Sequence, residues 1–400
     1  MFALRGARLF DGVSRTLVEH ALVLIEDGRI REVAGGGVEP PEGVEIIELG
    51  DVTLLPGLFD CHVHLGFDAS LDPAGRMNAE DDSSIALRMR LSAQRTLAAG
   101  VTTVRDLGDR AFLGVTLREW FARGEEIGPE VVAAGPPLTV TGGHCYFMGG
   151  EVDGELAVRR AVRSWFRRGV DVIKIMAGGG VLTPGIDPFT PQFSLPELRA
   201  AVEEAHRFGR KVTAHAHGVE VVRQAVEAGV DGIEHGGCMT LEGAQADPAL
   251  LDRLAEKEIV VCPTLAMLPA EALAGLPPLP SLIASHLDAM KSVIAQMHRA
   301  GVRLIAGSDA GVGPAKPHDL LPHAILDLAD IGLSTVEALR AATSLAAATC
   351  GLGDRKGRLE PGKDADILAV AGNPLTNLAA LLDVRGVLRA GRWVQTSLKR

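Results

Sequence analysis

Val219-Glu220-Val221-Val222-Arg223-Gln224-Ala225-Val226-Glu227-Ala228-Gly229-Val230-Asp231-Gly232-Ile233-Glu234-His235 contains one whole unit of the fold. Apolar residues recur at helical spacing through Ala228, and Gly229 supplies the left-handed backbone that ends a helix. A short β-branched run then leads to a histidine. The phrase recurs at Ala99-Gly100-Val101, Arg168-Gly169-Val170 and Ala300-Gly301-Val302, and Gly209 closes the helical stretch 195–208 in the same way. Counting from these glycines predicts strands near 58–64, 102–106, 131–134, 172–176, 212–215, 232–235, 259–264 and 303–307, with helices between most of them. Strands alternating with helices in this manner predict an α/β chain whose residues 57–356 form a (β/α)8 TIM barrel.

The flanks read differently. Residues 1–56 alternate polar and apolar in short runs, with turns at Asp11-Gly12 and Asp27-Gly28, and residues 357–400 do the same. Both ends together predict one small composite β-sandwich domain. The segment around Pro40-Pro41 and the run Pro277-Pro278-Leu279-Pro280 read as surface loops.

With 47% hydrophobic residues in a 400-residue chain, a large core can be buried. A formal net charge of -11 without a basic cluster argues against nucleic acid and against anionic lipid as partners. No apolar run approaches the roughly 20 residues a membrane helix needs, and the first residues lack a signal-peptide core, so a cytoplasmic location is expected. Five scattered cysteines, Cys61, Cys145, Cys238, Cys262 and Cys350, without any C-x-x-C pairing, predict free and mostly buried thiols.

In a barrel of this kind the active site forms at the carboxyl ends of the strands. His62 and His64 stand two apart at the end of the first, where alternate side chains share a face and both imidazoles can reach one divalent metal. An isolated His-x-His could equally be two polar residues on an ordinary strand. The same count from the glycines, however, leads to Lys174, His215, His235 and Asp309. A lysine within the apolar run Val172-Ile173-Lys174-Ile175-Met176 would be costly to bury charged, which marks it for a special role. Imidazole suits zinc, and a carboxylate can both coordinate and accept a proton.

Carried by Asp60-Cys61-His62-Val63-His64, Lys174, His215, His235, Asp309 and the closing Gly357-Arg358-Leu359-Glu360-Pro361-Gly362-Lys363-Asp364-Ala365-Asp366-Ile367, the chain resembles the metal-dependent amidohydrolase superfamily over nearly its full length. Ile173-Lys174, Gly178-Gly179-Gly180-Val181-Leu182, Ala214-His215-Ala216-His217-Gly218, Ile233-Glu234-His235-Gly236 and Thr141-Gly142-Gly143-His144 are similar to its branch of prolidase-like dipeptidases and carboxypeptidases related to imidazolonepropionase. The resemblance implies two divalent metal ions, zinc first among manganese, cobalt and iron. It implies that His62, His64 and Asp309 hold the more buried ion, that His215 and His235 hold the more exposed one, and that a carbon dioxide-derived carboxylate on Lys174 bridges both together with a hydroxide. Imidazolonepropionase proper resembles a one-metal site without this lysine.

The implied reaction is hydrolysis of a carbon–nitrogen bond in a small-molecule substrate, with Asp309 taking the proton of the attacking hydroxide and passing it to the leaving nitrogen. His144, in a flexible glycine-rich loop after the third strand, is the candidate donor to the developing oxyanion. Tyr146, His217 and Arg105 are candidate substrate contacts. Packing for Tyr146, indirect support of the metal for His217 and an internal ion pair for Arg105 are the alternatives. Glu234 is expected to face away from the metals as barrel support, and His20, His206, His286, His298, His318 and His323 to lie on the surface or in packing. A dipeptide or N-acyl amino acid, or else a cyclic amide, an imidazolone or a carbamate- or urea-like compound, would fit this chemistry, and a homo-oligomer is expected from the resemblance.

Overall fold

The recurring glycines sit where the chain reverses. Gly100, Gly169, Gly209, Gly229 and Gly301 have φ between +64° and +91°, the left-handed region in which a Cβ is strained. Gly169 caps the helix Glu155–Arg168 and Gly229 caps Val219–Ala228. The structure, a computed structural model, describes residues 1–394. Residues 395–400 of the C-terminal segment expected to join the small domain lie outside it.

Seven of the eight expected segments are strands of a mixed α/β fold: Leu58–Val63, Val101–Asp106, Glu130–Ala133, Val172–Met176, Lys211–Gly218, Gly232–Thr240 and Val260–Cys262. The first three pair in parallel, as do the last four. Leu138 bridges to Ile175, Leu304 to Val261 and Ala310 to Val63, so the succession of pairings returns to the strand it began on. The segment near 303–307 departs from expectation, because it keeps only single bridges instead of a ladder. Asp309 at φ +57° breaks the extended backbone, and the Ser308 N–H donates to the Asp60 carboxylate at 2.9 Å rather than to a neighbouring strand.

Every residue of Leu58–Val63, Val101–Asp106 and Val172–Met176 is buried, which explains why these strands read as apolar runs instead of alternating. The helix Val219–Ala228 buries Val221, Val222, Ala225, Val226 and Ala228 on one face, in the same cluster as Ile233 of the following strand. Each such valine contributes about 1.5–3 kcal/mol relative to exposure.

Strands from both chain ends form one eight-stranded sheet. Its order runs Arg392–Trp393, Val384–Arg389, Ile367–Ala371, Val52–Pro56, Phe2–Leu9, Val18–Glu26 and Arg29–Ala34, with Glu45–Glu48 also on Phe2–Leu9. Where the sequence suggests a two-layered sandwich, hydrogen bonding is continuous, because Phe2–Leu9 spends its first half on Glu45–Glu48 and its end on Val52–Pro56. Leu4, Val23, Leu54, Ile367 and Leu388 form a separate core on this sheet. Asp27 and Gly28, both at positive φ, make the tight hairpin expected there. Asp11 instead opens a wider loop, its carboxylate accepting from the Val13 and Ser14 N–H groups at 2.7 Å. Among the described residues no helix is long and apolar enough to cross a membrane. All five cysteines are free, and only Cys350 is not fully buried.

Candidate metal centre

His62 and His64 each spend one ring nitrogen on the protein and leave the other free. The Nδ1 of His62 lies 2.8 Å from Glu234 Oε2, and that of His64 lies 3.3 Å from the Gly108 carbonyl. Both Nε2 atoms therefore converge, 3.3 Å apart, with Asp309 Oδ1 at 3.4 and 3.5 Å. Asp309 is brought there by the joint between the first strand and the segment after 303–307. Its N–H donates to the His62 carbonyl at 2.7 Å, and the Ser308 hydroxyl donates to Asp60 at 2.5 Å. Burial pushes the Asp60 carboxyl up to about 6, against the hydrogen bonds it accepts from Ser308.

A second group is built the same way. His215 Nε2 lies 2.9 Å from the Gly179 carbonyl and His235 Nδ1 lies 2.6 Å from Thr264 Oγ1, which leaves His215 Nδ1 and His235 Nε2 facing each other at 3.0 Å. His217 stacks on His235 with ring centroids 4.2 Å apart, and its Nδ1 has no partner. Ligand atoms of His215, His217 and His235 lie within 4.8 Å of one another, as do those of His62, His64 and Asp309. The His62 and His235 rings, 5.2 Å apart, join the two groups. Burial lowers the pKa of all these imidazoles, favouring the neutral form that offers a lone pair.

Two triads of donor atoms, with lone pairs aimed at a common point, repel one another unless a cation lies between them. Lys174 sharpens this: its Nζ is buried without any hydrogen-bond partner, and desolvation lowers its pKa. The donor groups present thus fit divalent cations.

His144 reaches the second group, its ring 4.7 Å from that of His215 and its Nδ1 without a partner. A Cβ on Gly180 would come within 2.6 Å of His144 Nε2 and 3.1 Å of His215 Nε2, so the glycine run after the fourth strand leaves room for both rings. The loop carrying His144 is held rather than loose: the His144 N–H donates to Gln192 Oε1 at 2.7 Å and the Cys145 N–H to Thr183 Oγ1 at 2.9 Å.

Of the two readings for Arg105, the structure has the internal ion pair rather than the substrate contact: it is buried, donating from Nε to the Cys61 carbonyl at 2.6 Å and from a terminal nitrogen to Glu234 Oε1 at 2.8 Å. The expectation for Glu234 is corrected. Glu234 does not face away from the metal ligands, since its other oxygen anchors His62. A buried guanidinium needs a buried carboxylate, and Glu234 of the strand Gly232–Thr240 supplies it. Tyr146 is not brought among the histidines: it is 44% exposed, packed edge-on against Phe147. His286 and His318 are buried on backbone carbonyls. Sequence reasoning passed over Thr264, Gln192 and Lys316, whose Nζ donates to the Thr264 and Ser308 carbonyls at 2.7 and 3.0 Å and lies 3.8 Å from Asp309 Oδ2. A lysine seven residues after Asp309 in a glycine-rich loop was the available signal.

Residues 53–394 match the model of the amidohydrolase family. Ochratoxinase of Aspergillus niger is 32% identical over 370 residues, covering 84% of this chain and 73% of that one. Imidazolonepropionase of Acidiphilium cryptum is 28% identical over 393 residues, 91% of each chain. A crystal structure of a Xaa-Pro dipeptidase with methionine bound in its active site superposes with a TM-score of 0.88 at 29% identity, covering 98% of this chain and 99% of that one. With converging histidines at its strand ends and these likenesses along its length, the chain belongs to the amidohydrolase family, in the prolidase-like branch related to imidazolonepropionase.

Proposed function

We propose that the chain hydrolyses an amide or peptide carbon–nitrogen bond of a dipeptide or N-acyl amino acid, at a site for two divalent metal ions, zinc first among them. The carrying observation is the pair of convergent donor triads beside a buried, partnerless Lys174. Residues 57–356 are read as the (β/α)8 barrel that presents these groups, and the two chain ends as its accessory domain. His62, His64 and Asp309 would hold one ion, His215 and His235 the other, with His217 within reach, and carboxylated Lys174 would bridge them. Bound there, the ions supply Lewis acidity and lower the pKa of water.

The chain's own groups do the rest. The Asp309 carboxylate takes a proton from the attacking water and delivers it to the leaving nitrogen. His144, held by Gln192 over His215, donates a hydrogen bond to the carbonyl oxygen as negative charge develops there. The glycines 178–180 keep the space between these rings open. Ochratoxinase, an amide-hydrolysing relative, and the Xaa-Pro dipeptidase structure support this reaction class.

One observation favours a second reading, in which the substrate is a cyclic amide, an imidazolone or a carbamate- or urea-like compound without a free carboxylate. The cation that the sequence offers for a substrate carboxylate, Arg105, is spent on Glu234. Assaying metal-replete protein against dipeptides, N-acyl amino acids and cyclic amides separates the two readings. Within either, Asp309→Asn is expected to lower turnover by about 10²–10⁴-fold. Unchanged turnover in a variant that retains its metal would overturn the mechanism.

A further inference from the structure

At the amino ends of the central strands, away from the candidate metal-binding histidines, lies a cavity of about 870 Å³. Val172, Val212 and Gly232 line its walls, and Arg105, Cys350 and Leu352 also line it. Cys350 follows the helix Ser344–Thr349, whose Ala346 and Ala347 pack with Phe59 and Cys61 of the first strand. The sulfur of Cys350 stands 4.0 Å from that of Cys61, on residues 289 apart in sequence. Cys350 is half-buried and borders the cavity, whereas Cys61 is 1% exposed and sealed behind it.

We propose that Cys350 and Cys61 form an oxidisable thiol pair, a site of reversible covalent modification by hydrogen peroxide or a small alkyl hydroperoxide entering through this cavity. The Cys350 thiolate attacks a peroxide oxygen; the O–O bond breaks, and sulfenic acid and water (or the alcohol) are formed. The Cys61 thiol then attacks the Cys350 sulfur, forming the S–S bond and releasing the hydroxyl group as water. Two thiols lose two electrons and two protons to one peroxide. The sulfurs must close from 4.0 Å to roughly the 2.05 Å of a disulfide.

The environment distributes the roles. Cys350 borders the cavity through which a peroxide enters, whereas Cys61 is sealed behind it. Cys350 is therefore the attacking thiol and Cys61 the resolving one. This inference is independent of the catalytic reading, since its readout is thiol chemistry.

The test treats the intact metal-loaded protein with hydrogen peroxide at neutral pH, then counts thiols after denaturation and maps peptides without reduction. Two of the five thiols should disappear, with the peptides of Cys61 and Cys350 joined and both thiols recovered on reduction by a phosphine. Cys350→Ser, with Cys350→Ala as a second variant, should yield no intramolecular link and leave Cys61 titratable. Five titratable thiols after treatment would overturn the proposal. So would Cys350 sulfinic acid beside a free Cys61, a link to Cys262, or loss of the Cys61 thiol at the same rate in the Cys350 variants.

Discussion

Glu234 holds three groups at once: Arg105 at 2.8 Å, His62 Nδ1 at 2.8 Å and the Thr213 hydroxyl at 2.5 Å. Burial works against its charge, yet Arg105 and His62 outweigh that and hold its carboxyl well below the usual range. Arg105→Met leaves this anion buried without its cation, and should cost about 3–5 kcal/mol of stability in chemical denaturation. An unchanged denaturation midpoint with a raised KM would instead make Arg105 a substrate contact. Thr264 acts at one remove from the second group, fixing which His235 nitrogen is free. Thr264→Val should weaken metal binding by about 10–100-fold, measured by competition with a chelator, while the far-ultraviolet circular dichroism stays unchanged.

Helix ends set where the strands begin, and thereby where the ligands fall. Gly229 at φ +84° has nothing within 4 Å of an added Cβ, so alanine there meets no clash and only backbone strain. Gly229→Ala should destabilise by about 1–2 kcal/mol, read as a lowered denaturation midpoint with metal content unchanged. Gly100 differs: its Cβ would come within 2.8 Å of Leu368, so the same substitution there also disturbs the contact between a central helix end and the end sheet.

Across the whole molecule, the end sheet is fastened to the central strands by a buried charge network. Lys356, 1% exposed at its side chain, pairs with Asp366 and lies 3.2 Å from Glu130; Arg389 reaches Asp366 at 3.2 Å and Glu130 at 3.3 Å. Burial raises the carboxyl pKa values of Asp366 and Glu130, but the cations more than offset it and both end below their ordinary values. Carboxyls lowered on folding stabilise above their unfolded pKa and lose that contribution as pH falls towards the folded one. The contribution of this network, read as the difference in melting temperature between the protein and Lys356→Met, should therefore be nearly constant from about pH 7 to 5 and shrink below about pH 4. Lys356→Met should cost about 3–5 kcal/mol at neutral pH, with the gap from the parent protein narrowing in acid.

The alternation of strand and helix was legible because apolar periodicity and capping glycines act over a few residues. The strand Val172–Met176 and helix Val219–Ala228 coincide with the segments read from the sequence. Polar residues ending apolar strands were legible for the same reason, which is why His62, His64, Lys174, His215, His235 and Asp309 could be named together. Their partners could not. Glu234 meets His62 across 172 residues, Thr264 meets His235 across 29, and Cys350 meets Cys61 across 289. Closure of the strands upon one another chooses these neighbours, and local sequence carries no record of it. The sequence by itself determined the kinds of candidate donor side chain and the strand ends they stand at; the tertiary structure decided which nitrogen of each histidine is free, that Arg105 is paired with Glu234, and that the thiols of Cys61 and Cys350 meet.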